Sequence, residues 1–198
     1  MNVRLQYVTA FNAGFWLEQQ LVMSTYQIRV KLLTQTLDPA DQNIALERVK
    51  HFLLSEIHST VFVNQTEVEC AEAFASLGLN VTTLPEDPVD QIVGIMLYHK
   101  LNAIMQGRMK VSELVLSSDA GDNVEFYHSQ AEQTNLFAGP GWWNDATTLH
   151  DNIDDDTAEI SDVDTVWREL ELGWNGTEIA TDVTQVVFAN FDYNDTKH

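Results

Sequence analysis

Asp38-Pro39-Ala40-Asp41-Gln42 has the pattern of a helix start, and Asp87-Pro88-Val89-Asp90-Gln91 repeats that pattern further along the chain. An Asp N-cap accepts a hydrogen bond from a backbone N–H of the first helical turn, and proline suits the first helical position because no donor is needed there. Each copy follows a run with strand character, at 30–37 and at 81–84. The sequence therefore predicts two strand-to-helix junctions of the same construction.

The spacing of apolar residues extends this prediction along the chain. Apolar and basic residues alternate over 26–32, as in a half-buried strand, and each Asp-Pro cap opens an amphipathic helix. The order over 26–128 is β-α-β-α-β-α-β-β. We expect an α+β fold in which a mixed or antiparallel sheet packs with two long amphipathic helices, with a ferredoxin-like arrangement as one form. The shorter predicted elements are strands at 61–63 and 80–84, helices at 15–22 and 67–77, and a hairpin from 111–116 and 124–127.

Charge divides the chain into two parts. Residues 1–110 hold 8 Lys/Arg and 11 Asp/Glu, whereas residues 111–198 hold 2 and 19. Residues 1–135 are predicted to form the α+β core domain, and residues 136–198 an acidic, tryptophan-containing C-terminal arm that packs partly on the core. The net charge of −20 repels phosphates, so direct nucleic-acid binding is not expected, whereas a basic protein partner, a divalent cation and a role in solubility all remain open.

Neither a membrane nor an oxidising compartment is indicated. The N-terminal residues lack the basic start and apolar run of a signal peptide, and no run approaches the length of a membrane span. The single cysteine, Cys70, excludes an internal disulfide and falls on the apolar side of a short helix. We expect a cytoplasmic protein with no resident cofactor. Two apolar helix faces leave room for a homo-oligomer.

Several stretches resemble a family of uncharacterised proteins from tailed bacteriophages of the myovirus type. The resemblance covers about residues 26–145, and it implies a viral accessory or assembly protein in the host cytoplasm. It names no chemistry. The stretches that carry it are Asp38-Pro39 with 43–50, 81–91, 100–109, 121–128 and Gly141-Trp142-Trp143.

Two groups of residues could hold a divalent cation. Carboxylate oxygens are the ligands that Ca²⁺ and Mg²⁺ prefer, and the acidic arm offers His150, Asp151, Asp154, Asp155 and Asp156. This stretch departs from an EF-hand loop, because it lacks the central glycine, and a solvated acidic loop is the alternative. Around the predicted hairpin lie Asp119, Asp122, Glu125 and His128, of which the last two should point to opposite faces of a strand.

Helical spacing brings Glu47 and His51 together at i, i+4, which predicts a surface pair and no zincin motif.

Trp142 and Trp143 are the candidate partner-binding residues, because exposed tryptophans are enriched at interface hot spots. Adjacent rings after Gly-Pro-Gly cannot easily point the same way. Either one ring faces out to a partner, or both anchor the arm to the core.

The sequence is compatible with two functions and identifies no catalytic residue. The first is a non-catalytic accessory or assembly protein that binds a protein partner through an acidic, aromatic-bearing surface. The alternative is a divalent-metal-dependent hydrolase that uses a carboxylate and histidine cluster. The two differ in whether carboxylates and histidines converge in a concave site.

Overall fold

The computed structural model describes residues 3–129, 137–147 and 163–174. The strands are β1 (Arg4–Leu17), β2 (Gln20–Thr34), β3 (Val61–Asn64), β4 (Val81–Leu84), β5 (Met109–Ser118) and β6 (Phe126–His128). The helices are α1 (Pro39–His51), α2 (Val68–Ser76), α3 (Asp90–Ile104) and α4 (Val163–Glu169). A π-helical turn, Phe52–Glu56, follows α1, and Trp142–Asn144 forms a 3₁₀ turn. Within this described part of the chain no helix is long and apolar enough to cross a membrane.

The first two strands form a long antiparallel hairpin that closes at Leu17 and Gln20. Glu18 and Gln19, between them, both have positive φ, at 50° and 62°. Positive φ at both central residues is the geometry of a type I′ turn, which matches the twist of the flanking strands. The predicted helix over 15–22 is therefore wrong, because pairing with the other arm of the hairpin outweighs the local apolar spacing.

All six strands form one mixed sheet in the order β4-β3-β1-β2-β5-β6. The pairs β1–β3 and β3–β4 are parallel, and the remaining pairs are antiparallel. This confirms the α+β class with a mixed sheet, and the elements from β2 to β6 follow the predicted order. The chain nevertheless opens with a hairpin and places three helices between its strands. That order differs from the β-α-β-β-α-β order of a ferredoxin-like fold.

The two faces of the sheet are covered differently. One face carries the main core, where Tyr26, Ile28 and Val30 of β2 pack with Val49 of α1 and Met96 of α3. Helix α2 lies against the other face and covers mainly its β3–β4 side, through Ala71 against Val61, Val63 and Val81. Its Phe74 also contacts Trp16, close to the end of β1. Among the described residues, no helix covers the rest of this face on β1, β2, β5 and β6.

The repeated Asp-Pro phrase begins two helices in different ways. Asp38 is the N-cap of α1, and its carboxylate accepts from Ala40 N at 2.9 Å, as predicted. Helix α3 instead begins at Asp90 with Val89 in the N-cap position. The Asp87 carboxylate accepts a hydrogen bond from the Asn64 side chain, at the end of β3, at 2.8 Å. Asp87 was predicted to cap the helix, and this prediction is wrong.

Candidate interaction surface

The side of β1, β2, β5 and β6 on which the described part of the chain places no helix is called the open face. Because side chains alternate along a strand, the residues opposite the core share this face. Three of its apolar side chains are more than half exposed: Val8 at 62%, Met23 at 61% and Tyr127 at 55%. The register sets Val8 against Arg29, Arg29 against Val115 and Val115 against Tyr127, so one row crosses all four strands. The open face also includes Arg4, Gln6, Lys31, Glu113 and, from the loop before β6, Glu125.

Cross-strand ion pairs order the middle of the open face. Lys31 Nζ lies 2.6 Å from Glu113 Oε1, and Arg29 Nη2 lies 3.4 Å from Glu125 Oε2. The Tyr127 hydroxyl donates to Glu125 Oε2 at 2.7 Å. This hydrogen bond, with the nearby Arg29, lowers the pKa of Glu125, and the same bond raises the pKa of Tyr127. At neutral pH the middle of the face therefore presents a phenol beside two carboxylates and two cations.

A depression of about 410 Å³ lies at one end of the open face. The residues that line it are Leu5, Leu32 and Leu33 with the polar residues Arg4, Gln6, Lys31, Ser112 and Glu113. The guanidinium of Arg4 is exposed and makes no hydrogen bond or ion pair to the described residues. A partner carboxylate could pair with it without displacing an existing contact.

Trp142 and Trp143 do not lie on this surface. Both rings are buried, at 8% and 7% exposure, and belong to the main core cluster. Trp142 Nε1 donates to Thr83 O at 2.9 Å, and Trp143 Nε1 donates to Phe137 O at 3.2 Å. The arrangement in which both rings anchor their segment on the core is the one that the structure adopts. Their contribution to partner binding stays a prediction, and neither ring offers the outward face on which it was based.

Two buried cations hold the C-terminal segments on the helices. Lys100 of α3 is fully buried, and its ammonium donates to Trp142 O and Asp145 O, both at 2.9 Å. Burial lowers the pKa of Lys100 to about 8, and the nearby carboxylates of Asp145 and Glu56 oppose that shift. The second buried cation is Arg48 of α1. Its guanidinium carbon lies 4.4 Å from the ring centre of Trp167 and 3.8 Å from that of Trp174.

The predicted histidine and carboxylate clusters are dispersed. His51 Nε2 contacts Glu56 Oε1 at 2.9 Å, whereas Glu47 pairs with Lys50, so the expected Glu47–His51 pair is absent. His128 is buried on the core side, packed closely against Gly94, and Glu125 is exposed on the open face. The two thus point to opposite faces, as predicted from strand alternation.

Carboxylates and histidines do not converge on a metal-sized site in the described ranges. No group of three or more His, Cys, Asp or Glu residues there could hold a metal ion. The Asp119 carboxylate instead accepts hydrogen bonds from the Ser24 hydroxyl and from Thr25 N, and these bonds lower the pKa of Asp119. The candidate cation ligands His150, Asp151, Asp154, Asp155 and Asp156 lie outside the described residues.

A cleft of about 560 Å³ lies near the C-terminal end of α3, lined in part by Tyr98, His99 and Asn102. The polar groups of these residues are largely engaged within the protein. Tyr98 donates to Val111 O, and Asn102 accepts from Val111 N and donates to Tyr98 O. His99 Nδ1 contacts Asn144 Oδ1 at 3.1 Å, and burial lowers the pKa of His99 while this hydrogen bond opposes the shift. We regard this cleft as the lesser candidate for a binding site.

The sequence carried a signal for the open face that is clear only in retrospect. Arg29 and Lys31 alternate with Ile28, Val30 and Leu32, so their exposure follows from the pattern alone. The pattern does not predict which strands flank β2. Strand β1 pairs with it through a hairpin that the local pattern did not indicate, and β5 lies some eighty residues away in the sequence.

Comparison with known proteins shows a fold and no family. No protein-family model and no curated protein matches the sequence. An uncharacterised protein of Wolinella succinogenes, WS1659, shares 12% identity over 66% of this chain and 99% of its own, with a TM-score of 0.50. At that identity the likeness shows a similar fold alone.

Two 6-pyruvoyl tetrahydropterin synthases are also similar in structure, but less so. The synthase of Plasmodium vivax shares 10% identity over 65% of this chain and 99% of its own, with a TM-score of 0.43. The enzyme of Plasmodium falciparum shares 11% identity over 64% and 96%, also at a TM-score of 0.43. TM-scores below 0.5 are too low for the activity of these enzymes to bear on this chain.

Proposed function

We propose that this protein acts by binding and not by catalysis, as an accessory or assembly protein that docks a protein partner on its open face. One observation carries the proposal: four strands present a continuous surface with Val8, Met23 and Tyr127 more than half exposed, while the other face of the same strands forms the core. Apolar and aromatic side chains interspersed with charges are the composition of a protein interface.

The chemistry of the open face supports a protein as the partner. Tyr127 combines an aromatic ring with charges of both signs around it, from Glu125 and Arg29, which is the composition of a protein-binding surface. The net charge of −20 disfavours nucleic acid. The resemblance of residues 26–145 to tailed-phage proteins is the reason for proposing an accessory or assembly role.

Affinity capture with matched variants tests this function. The full chain is compared with Arg29→Ala/Tyr127→Ala and with Lys50→Ala, whose side chain is a partly exposed cation on α1. We expect the parent and Lys50→Ala to retain the same protein partner and the open-face variant to lose it. Equal capture by all three chains, or no specific capture by the parent, would contradict the proposal.

A further inference from the structure

Among the described residues, most Lys and Arg residues outside the core lie on or beside the open face, and the other two are Lys50 of α1 and Arg168 of α4. Of the ten Lys and Arg residues in the chain, Arg48, Lys100 and Arg108 are buried. Arg4, Arg29 and Lys31 lie on the open face, and Lys110, paired in register with Leu33, lies at its end. With Glu113 and Glu125 subtracted, the face carries a net charge of +2, and the rest of the chain then carries −22.

Such a local excess attracts an anionic partner despite the negative charge of the whole molecule. Screening limits electrostatic interactions to about 8–10 Å at physiological salt, so charges within the face dominate what a docked segment experiences. The Arg4 guanidinium, which has no ion pair with any described residue, and the adjacent depression of about 410 Å³ give a carboxylate a place to bind. An acidic peptide segment therefore fits the charge and the shape of the face.

The chain itself contains a segment with this chemistry. Residues 150–162 hold six Asp and Glu residues and no Lys or Arg. On both sides of this segment the chain is fixed to the helix-covered side of the sheet. Lys100 of α3 holds the carbonyl of Asp145, and Trp167 packs on Arg48 of α1.

Geometry favours the open face of a second copy over that of the same copy. Fifteen residues, 148–162, separate the two described ranges, so a loop fixed at both ends reaches at most about 25 Å from its fixed points. The helix layer and the sheet together are about 20 Å thick, and the path must then turn around a sheet edge. A neighbouring molecule can present the same segment without that detour.

From these observations we infer that the open face binds the acidic segment 150–162 of a second copy of this chain. This inference rests on the proposed function, because it identifies one occupant of the same surface. The contact joins two different surfaces, so the protein associates head to tail. Arg4, Arg29 and Lys31 receive the carboxylates, and the association weakens as salt rises.

Sedimentation velocity at low and high salt tests the inference with two complementary variants. The face variant is Arg29→Gln/Lys31→Gln, and the segment variant is Asp154→Asn/Asp155→Asn/Asp156→Asn. Lys50→Gln/Arg168→Gln changes the net charge as the face variant does but lies elsewhere, and serves as the control. We expect the parent and the control to associate at low salt and to associate roughly tenfold more weakly at high salt. Each complementary variant alone should remain monomeric.

Mixing the two complementary variants is the decisive measurement. One retains the acidic segment and the other retains the open face, so together they should form a heterodimer. A labelled synthetic peptide of residues 150–162 should likewise bind the parent and not the face variant. A monomeric parent at low salt, a failure of the mixture to associate, or tighter binding of a single-stranded oligonucleotide than of the peptide would overturn the inference.

The two proposals can fail separately. If Arg29→Ala/Tyr127→Ala loses a captured protein partner while the parent stays monomeric, the docking function stands and the acidic segment is not its occupant. If open-face substitutions change neither capture nor association, both proposals are wrong.

Discussion

Replacing Arg48 with methionine should detach the C-terminal helix α4 from the core. The Arg48 side chain is fully buried, and its Nε donates to Leu172 O at 2.9 Å. Its Nη1 donates to Ile104 O at 3.2 Å and to the Gln106 side chain at 3.0 Å. The indoles of Trp167 and Trp174 lie against its guanidinium, at 4.4 and 3.8 Å. One side chain thus joins α1, the end of α3 and the segment that follows α4.

The expected loss follows from these contacts. A hydrogen bond from a charged donor contributes about 1.5–3 kcal/mol, and a desolvated cation–π contact about 2 kcal/mol. These contributions do not add fully, and removing the buried charge also removes its desolvation cost. We therefore expect the free energy of unfolding to fall by about 3–5 kcal/mol for Arg48→Met. Arg48→Lys keeps the charge but loses the planar fork, so its loss should be smaller.

Denaturant unfolding measures the global effect, and trypsin measures the local one. Arg168 lies on α4 with an exposed side chain, so detachment of α4 should accelerate cleavage after Arg168. Lys50→Met, two residues from Arg48 on α1 and partly exposed, is the control and should change stability by less than about 0.5 kcal/mol. A loss below about 1 kcal/mol with unchanged cleavage would refute the anchoring role of Arg48.

Three further predictions follow from buried or acidic groups. Because burial lowers the pKa of Lys100 to about 8, the unfolded chain binds more protons above that pH. From pH 7.5 to 9.5 the unfolding free energy of the parent should therefore rise by about 2 kcal/mol relative to Lys100→Met, and a falling difference in denaturant titrations would contradict this. A methyl group at Gly94 would overlap the His128 imidazole, so Gly94→Ala should lower thermal stability by about 1–3 kcal/mol, although alanine favours helix; an unchanged melting temperature would disprove this overlap. Millimolar Ca²⁺ should raise the melting temperature of the parent if the acidic segment binds it, and no rise in the parent would end that hypothesis. The variant that should lose this rise is Asp154→Asn/Asp155→Asn/Asp156→Asn.

The candidate site shows where sequence reasoning fails. Arg29 and Lys31 could be placed on the exposed side of a strand, but their acidic partners, Glu125 and Glu113, belong to strands or loops far along the chain. Trp142 and Trp143 were candidates for exposure because aromatic residues look alike in sequence whether they anchor or bind. In the structure the Lys100 ammonium donates to the Trp142 carbonyl, and this hydrogen bond holds the tryptophan segment against α3.

Local sequence by itself determined the order of elements from β2 to β6, the Asp38 cap of α1 and the opposite orientations of Glu125 and His128. Each depends on interactions among neighbours in the chain, whose spacing the sequence states directly. Only the tertiary structure shows that 15–22 surrounds the turn of a hairpin and that Asp87 accepts from Asn64. It also shows that, within the described ranges, four strands share a face on which no helix packs. These features depend on pairing between distant residues, because a hydrogen-bonded partner strand outweighs the small local preferences that favour a helix or a cap.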